Sequence, residues 1–329
     1  FETDLDAALK LNNEAIMTSA TTVAGSFITL SEAYLVRDGE KSEENWSASL
    51  NLKEGEFELL GKRKNIEDGD LIDLFRILGD SEAKALLADS GGRFDFEAEV
   101  SSLAWISAFL GKQYNSEFHG SSTIGGTLTL ESGLPAPGTD MEIRSSELVV
   151  DILDYVGRGD GVITLGVEEG GELPDWRMAL ELGEAELRRR SDEKAYIQDV
   201  EMRLSALVED VNFNPEDKKN FEMNFVIDAG RVTDMSTFNG YLPPDSPVAF
   251  GSGEAQLSAD ILLQQDDADG WLKLDSQNVE LDADGQALLA DLGAEIKLAG
   301  GVPADMKFDI TGSSVVLANV RVKGAKADF

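Results

Sequence analysis

Two stretches decide how this chain reads: "DMEIRSSELVVDI", Asp140 to Ile152, and "GWLKLDSQNVELDA", Gly270 to Ala283. Each reads as two short strands with a serine at the joint. Met141, Ile143, Ser145, Leu148, Val150 and Asp151 match Leu272, Leu274, Ser276, Val279, Leu281 and Asp282, all at an offset of 131. Leu165 and Val167 match Ile296 and Leu298 at that same offset. A fixed period over this length is the mark of a repeat architecture.

The match extends on both sides. Upstream, Leu103, Ile106, Phe109, Leu110 and Phe118 meet Met235, Phe238, Tyr241, Leu242 and Phe250 at an offset of 132. Downstream, Met178 and Leu180 meet Phe308 and Ile310 at 130. The first third joins in, with Trp46, Ala48, Leu50, Leu52 and Phe57 against Trp176, Met178, Leu180, Leu182 and Leu187. The expected organisation is the back part of one repeat plus a helical insert (1–90, insert near 70–88), a complete repeat (91–219) and a second, truncated one (220–329).

Alternation with period two runs through the rest. In "RFDFEAEV" Phe94, Phe96, Ala98 and Val100 face one way, and Arg93, Asp95, Glu97 and Glu99 the other. "WRMALELG", "FEMNFVID" and "EAQLSADI" follow suit. One apolar and one charged face per strand points to antiparallel sheet wetted on one side. Turns such as "GLPAPG", "EEGGELPD" and "AGGVPAD" separate the strands. Helical spacing is expected in "DLIDLFRILGDSEAKALLAD", in one or two turns of "SLAWISAFLG" and "DMSTFNGYL", and in "GQALLADLG".

Composition narrows the function classes. Lys and Arg total 28 against 63 for Asp and Glu, a formal charge of −35. Nucleic acid is excluded as a partner, because neutralising phosphates requires basic stripes. There is no cysteine, so disulfides, thiolate metal sites and Cys nucleophiles are excluded. His119 is the sole histidine; it reads as a surface or turn residue, and no histidine-rich metal site or His-based triad can form. "QQDDADGW" and "LDADGQ" fall short of a calcium loop and read as acidic turns. No phosphate loop is present. The chain is expected to be no enzyme, with no cofactor and no metal. No apolar run approaches the length of a membrane span. Phe1 is not an initiator, and the last residues stop inside a strand pattern. The chain is therefore expected to be a segment of a longer protein.

The stretch "GGRFDFEAEVSSLAWISAFLG…FHGSSTIGGTLTLESGLPAPGTDMEIRSSELVV" resembles the repeating unit of the AsmA-like superfamily, bacterial envelope proteins of the AsmA, TamB, YhdP and YdbH type. That unit is an amphipathic strand, an "L-x-x-L" helical turn, a "G-x-x-x-G-x-L-x-L" strand, a Pro/Gly turn and an "L-x-L-x-S-x-x-L" strand pair. The resemblance implies a mainly β fold: one long curled antiparallel sheet, an open β-groove, built from repeats of about 130 residues with short helical inserts. It implies a periplasmic segment of an inner-membrane-anchored protein, its anchor outside this chain, that carries phospholipid between membranes or serves outer-membrane biogenesis. Envelope proteins are possible partners.

The candidate groove residues are Leu50, Leu52, Phe94, Phe96, Leu128, Leu130, Ile143, Leu148, Leu165, Leu180, Leu182, Phe225, Ile227, Leu257, Ile261, Leu274, Leu281, Ile296, Phe308 and Ile310. For each, ordinary core packing is the alternative. For the whole chain, the alternative is a structural or adhesive β-repeat scaffold that binds a protein partner by its strand edges.

Overall fold

The computed structural model describes residues 2–3, 9–11, 14–17, 20–24, 27–37, 40–41, 45–59, 62–65, 91–103, 116–132, 134–152, 155–171, 173–191, 194–209, 221–241, 246–264, 267–302 and 307–323. Strands make up 78% of these and helix 3%, so the class is mainly β. By contact the chain forms two compact units, 1–180 with 208–217, and 181–207 with 218–329.

In the first unit, successive strands pair antiparallel: Ala20–Ala24, Phe27–Arg37, Trp46–Leu59, Gly91–Val100, Ser122–Glu131, Asp140–Ile152 and Tyr155–Glu168. No described ladder joins the first of these to the last, so the sheet is open. In the second unit, Phe221–Val232, Ala255–Gln264, Asp267–Ala283, Gln286–Ala299 and Ser314–Val322 form a ladder of the same kind.

The stretch at 140–152 is one strand rather than two. Its ladder to strand 155–168 shifts register between Ser145 and Leu148, where an extra residue is accommodated as a β-bulge. Strand 267–283 does the same between Ser276 and Val279. The bulge has a clear consequence. Side chains alternate strictly along a strand, so Met141, Ile143 and Ser145 share a face that Leu148 and Val150 would miss by one residue. The extra residue restores the parity. Gly161 pairs with Ser145 and Gly159 with Leu148, which returns Leu148 to the face of Ile143.

The strand pairing reproduces the repeat. Ala98, Ile124, Ile143 and Ile163 form one rung of the first ladder, and Gly230, Leu257, Leu274 and Ala294 form a rung of the second. Beyond each bulge a short strand closes on the distal half of the long one. Phe118 of Ser116–His119 opposes Val150, and Phe250 of Val248–Phe250 opposes Leu281.

Burial follows the same plan. Leu103, Leu148, Met235 and Val279 are fully buried, and Ser145 and Ser276 are buried beside the bulges. Ser276 meets the cost of burying its hydroxyl by donating from Oγ to the Glu254 carbonyl at 2.5 Å.

"DMSTFNGYL" forms a 3-10 helix, Met235–Tyr241, as its spacing predicts. The expected helix in "GQALLADLG" is instead the start of strand 286–299. Asp284 and Gly285 (φ 52° and 83°) make a two-residue turn of the hairpin type, and Ala283 pairs with Gln286 directly across it. An Asp-Gly pair there sets the twist of a hairpin and overrides the local helical spacing. The expected insert at 70–88 and most of "SLAWISAFLG" lie outside the described residues.

The packed bulge gives the first prediction. Leu148→Ala removes a side chain with no exposed surface, against which a Cβ on Gly161 would stand at 2.3 Å. It should cost about 2–5 kcal/mol, read as a shift of the urea midpoint. Leu128→Ala, on the same face but half-exposed, should cost roughly 1–2 kcal/mol.

Candidate functional site

The ladder registers place most candidate residues on single faces. In the first unit, Leu52, Phe96, Gly126, Met141 and Leu165 form one rung across five strands. Leu50, Ala98, Ile124, Ile143 and Ile163 form the next. Phe94 opposes Leu128, and Leu130 lies two residues further along that face. In the second unit Phe225 opposes Ile261, Ile227 opposes Ala259, and Leu272 opposes Ile296. Leu257 and Leu274 are direct partners, and Leu281 opposes Leu288.

Burial is graded along this face. Near the bulges Ile143, Leu148, Leu257, Leu274 and Leu281 are buried, as are Phe94 and Ile227. Leu50, Leu52, Phe96, Leu128, Leu130, Leu165, Phe225 and Ile261 are half-buried, and Ile296 is 41% exposed. Leu180 and Leu182 are buried on strand Asp175–Arg189.

Two candidates stand apart. Phe308 lies in Lys307–Phe308, which pairs only with Gly301–Val302 in a small separate ladder, and Ile310 is exposed in the turn that follows. The sequence match of these two to Met178 and Leu180 is therefore not a match of position. The cause is the Gly300-Gly301 pair, both at positive φ, which turns the chain out of the long ladder.

The opposite face is polar. Lys53 pairs with Glu97 at 2.9 Å, Thr127 donates to Asp95 at 2.6 Å, and Arg203 grips Asp228 through Nε and Nη2 at 2.9 and 2.7 Å. The hydrogen bonds and charge of Asp228 raise the Arg203 pKa above its ordinary value. Exposed pairs of this kind contribute little stability each. Their effect is to keep one side of the sheet wet.

Strand 314–322 is exposed along its whole length. Val315, Leu317, Val320 and Val322 are 69%, 45%, 52% and 45% exposed. Val315, Leu317 and Val322 oppose Ala294, Leu292 and Leu288, so they continue the apolar face of the second unit. Polar contacts tie this strand down. Lys323 donates to Glu280 at 2.5 Å, Asn319 to Asp291 at 2.6 Å, and Arg321 to Asn278.

Outside the apolar face, Glu117, His119 and Asp151 bring ligand-type atoms within 4.8 Å of one another. A cavity of about 590 Å³ is lined by Pro137 to Asp140, Thr164 to Glu169 and Arg177. Arg177 is tied there to Glu168 at 3.0 Å. No helix among the described residues is long and apolar enough to cross a membrane. The chain matches no family model, no curated protein and no solved structure.

The bulges are the feature sequence reasoning missed. Their signal was available as the spacing two, two, three, two in both long strands.

Acid should loosen strand 314–322 first. The hydrogen bond from Lys323, then that from Ser252, lowers the Glu280 pKa, and the bond from Asn319, then that from the Asn278 amide, lowers that of Asp291. A carboxyl whose folded pKa is depressed stabilises fully above its ordinary value and progressively less as the pH falls through the folded one. The ordinary values are 4.5 and 3.8. The protection of amides in 314–322 from exchange, relative to the unfolded chain at the same pH, should therefore be high at neutral pH and fall below about pH 4, before that of the buried bulge strands.

Proposed function

We propose that the half-buried part of the apolar face binds acyl chains, and that the protein is a periplasmic segment of an AsmA-like envelope protein that conducts phospholipid between membranes. The observation that carries this reading is the rung Leu52–Phe96–Gly126–Met141–Leu165. It crosses five strands without a polar side chain, yet all five residues keep part of their surface open.

A closed core buries such a row completely. Here Ile143, Leu148, Val279 and Leu281 around the bulges are buried, while the rung from Leu52 to Leu165 stays half-open. At about 4.8 Å per strand, the rung offers roughly 19 Å of apolar track perpendicular to the strands. That suits an extended hydrocarbon chain better than a compact ligand, because the rung's own side chains are apolar and fix no one orientation. The charged face and the overall charge of −35 keep neighbouring sheets apart and leave headgroups to water. The anchor of such a protein would lie outside this chain.

One observation favours the scaffold reading. Strand 314–322 presents an exposed apolar row next to backbone that an added strand could pair with.

Photo-crosslinking separates the two. A photoreactive residue at Leu128 or Phe225 should capture phospholipid in envelope-expressing cells, at least several-fold above the same residue at Glu97 or Asp260 on the polar face. Equal labelling on both faces would remove the groove. Protein adducts from Val316, with none of lipid from Leu128, would put the scaffold in its place.

A further inference from the structure

We infer that Glu117, His119 and Asp151 form a binding site for a divalent transition-metal ion of the zinc type, on the polar face of the first unit. Glu117 and Asp151 are direct cross-strand partners, and His119 lies two residues further along the same strand and therefore on the same face. His119 Nε2 stands 3.5 Å from Glu117 Oε2 and 3.7 Å from Asp151 Oδ2. One imidazole nitrogen with two carboxylates is a donor set suited to zinc and its neighbours rather than to calcium or magnesium, which favour oxygen alone.

The second unit serves as an internal control. Its equivalent short strand, Val248–Phe250, pairs with strand 267–283 in the same way, Phe250 opposing Leu281 as Phe118 opposes Val150. There Ala249 and Gly251 stand where Glu117 and His119 stand in the first, and only Asp282 answers to Asp151. The strand pair thus forms without the three donors. In the first unit, moreover, two carboxylates oppose each other directly, an arrangement that destabilises a ladder unless a cation lies between them. Folding alone does not call for this grouping.

The scaffold beneath is rigid. Phe118, between Glu117 and His119, is buried against Val150, which is also buried. The donors are therefore presented side by side on one face of the paired strands. A bound ion would clip the short strand 116–119 to the distal half of strand 140–152.

The test is calorimetric titration of the chelator-treated chain with zinc chloride. The wild type should show one tight event with a stoichiometry of one, above the weak background expected of many surface carboxylates. His119→Ala and Asp151→Asn should each weaken it at least 30-fold. Asp282→Asn, at the equivalent place in the second unit, should leave it unchanged. His119→Gln guards against misfolding: it should melt like the wild type without metal and lose the zinc-dependent rise in Tm. A wild type that binds zinc no more tightly than His119→Ala overturns the site. Loss of the tight event in Asp282→Asn overturns it as well.

Discussion

The period of two along a β-strand governs everything else in this molecule. A sheet with one wet and one dry face tolerates no slip, because moving a strand by a single residue turns every side chain to the wrong side. Strands 140–152 and 267–283 nevertheless change parity midway, at Ser145 and Ser276. The β-bulge absorbs that change. Without it Leu148 and Val150, or Val279 and Leu281, would face water, and the short strands ending at His119 and Phe250 would have nothing to pack on.

The bulge also divides each long strand into two environments. On one side the short strand pairs with the long one, Phe118 with Val150 and Phe250 with Leu281, and Val150 and Leu281 are buried. On the other the apolar rungs continue but stay half-open. One strand thereby both stabilises its unit and leaves an apolar surface available. Gly161 fits the same plan in the first unit: a Cβ there would stand 2.3 Å from the Leu148 side chain, so glycine gives Leu148 its room.

Repetition then separates what the architecture requires from what was added to it. Rungs, bulges, buried serines and the short strands recur in both units, and so belong to the fold. The half-open row recurs only in part: Leu272 opposite Ile296 repeats Met141 opposite Leu165, while Ile227 and Ala259 of the same rung are buried. Glu117 and His119 do not recur, which is why they point to chemistry rather than to folding.

The sequence by itself determined the strand class, the one-sided wetting and the repeat, because alternation and period are local properties carried by residue type alone. It also marked the serine joint, through the three-residue step from Ser145 to Leu148. Only the tertiary structure showed that the joint lies within a single strand, that Asp284-Gly285 opens a hairpin where helical spacing was read, and that Phe308 and Ile310 leave the long ladder. These depend on which strand lies opposite and in what register, and no residue's own pattern contains its partner. The grouping of His119 with Asp151, 32 residues away, is of the same kind, decided by strand pairing across the sheet.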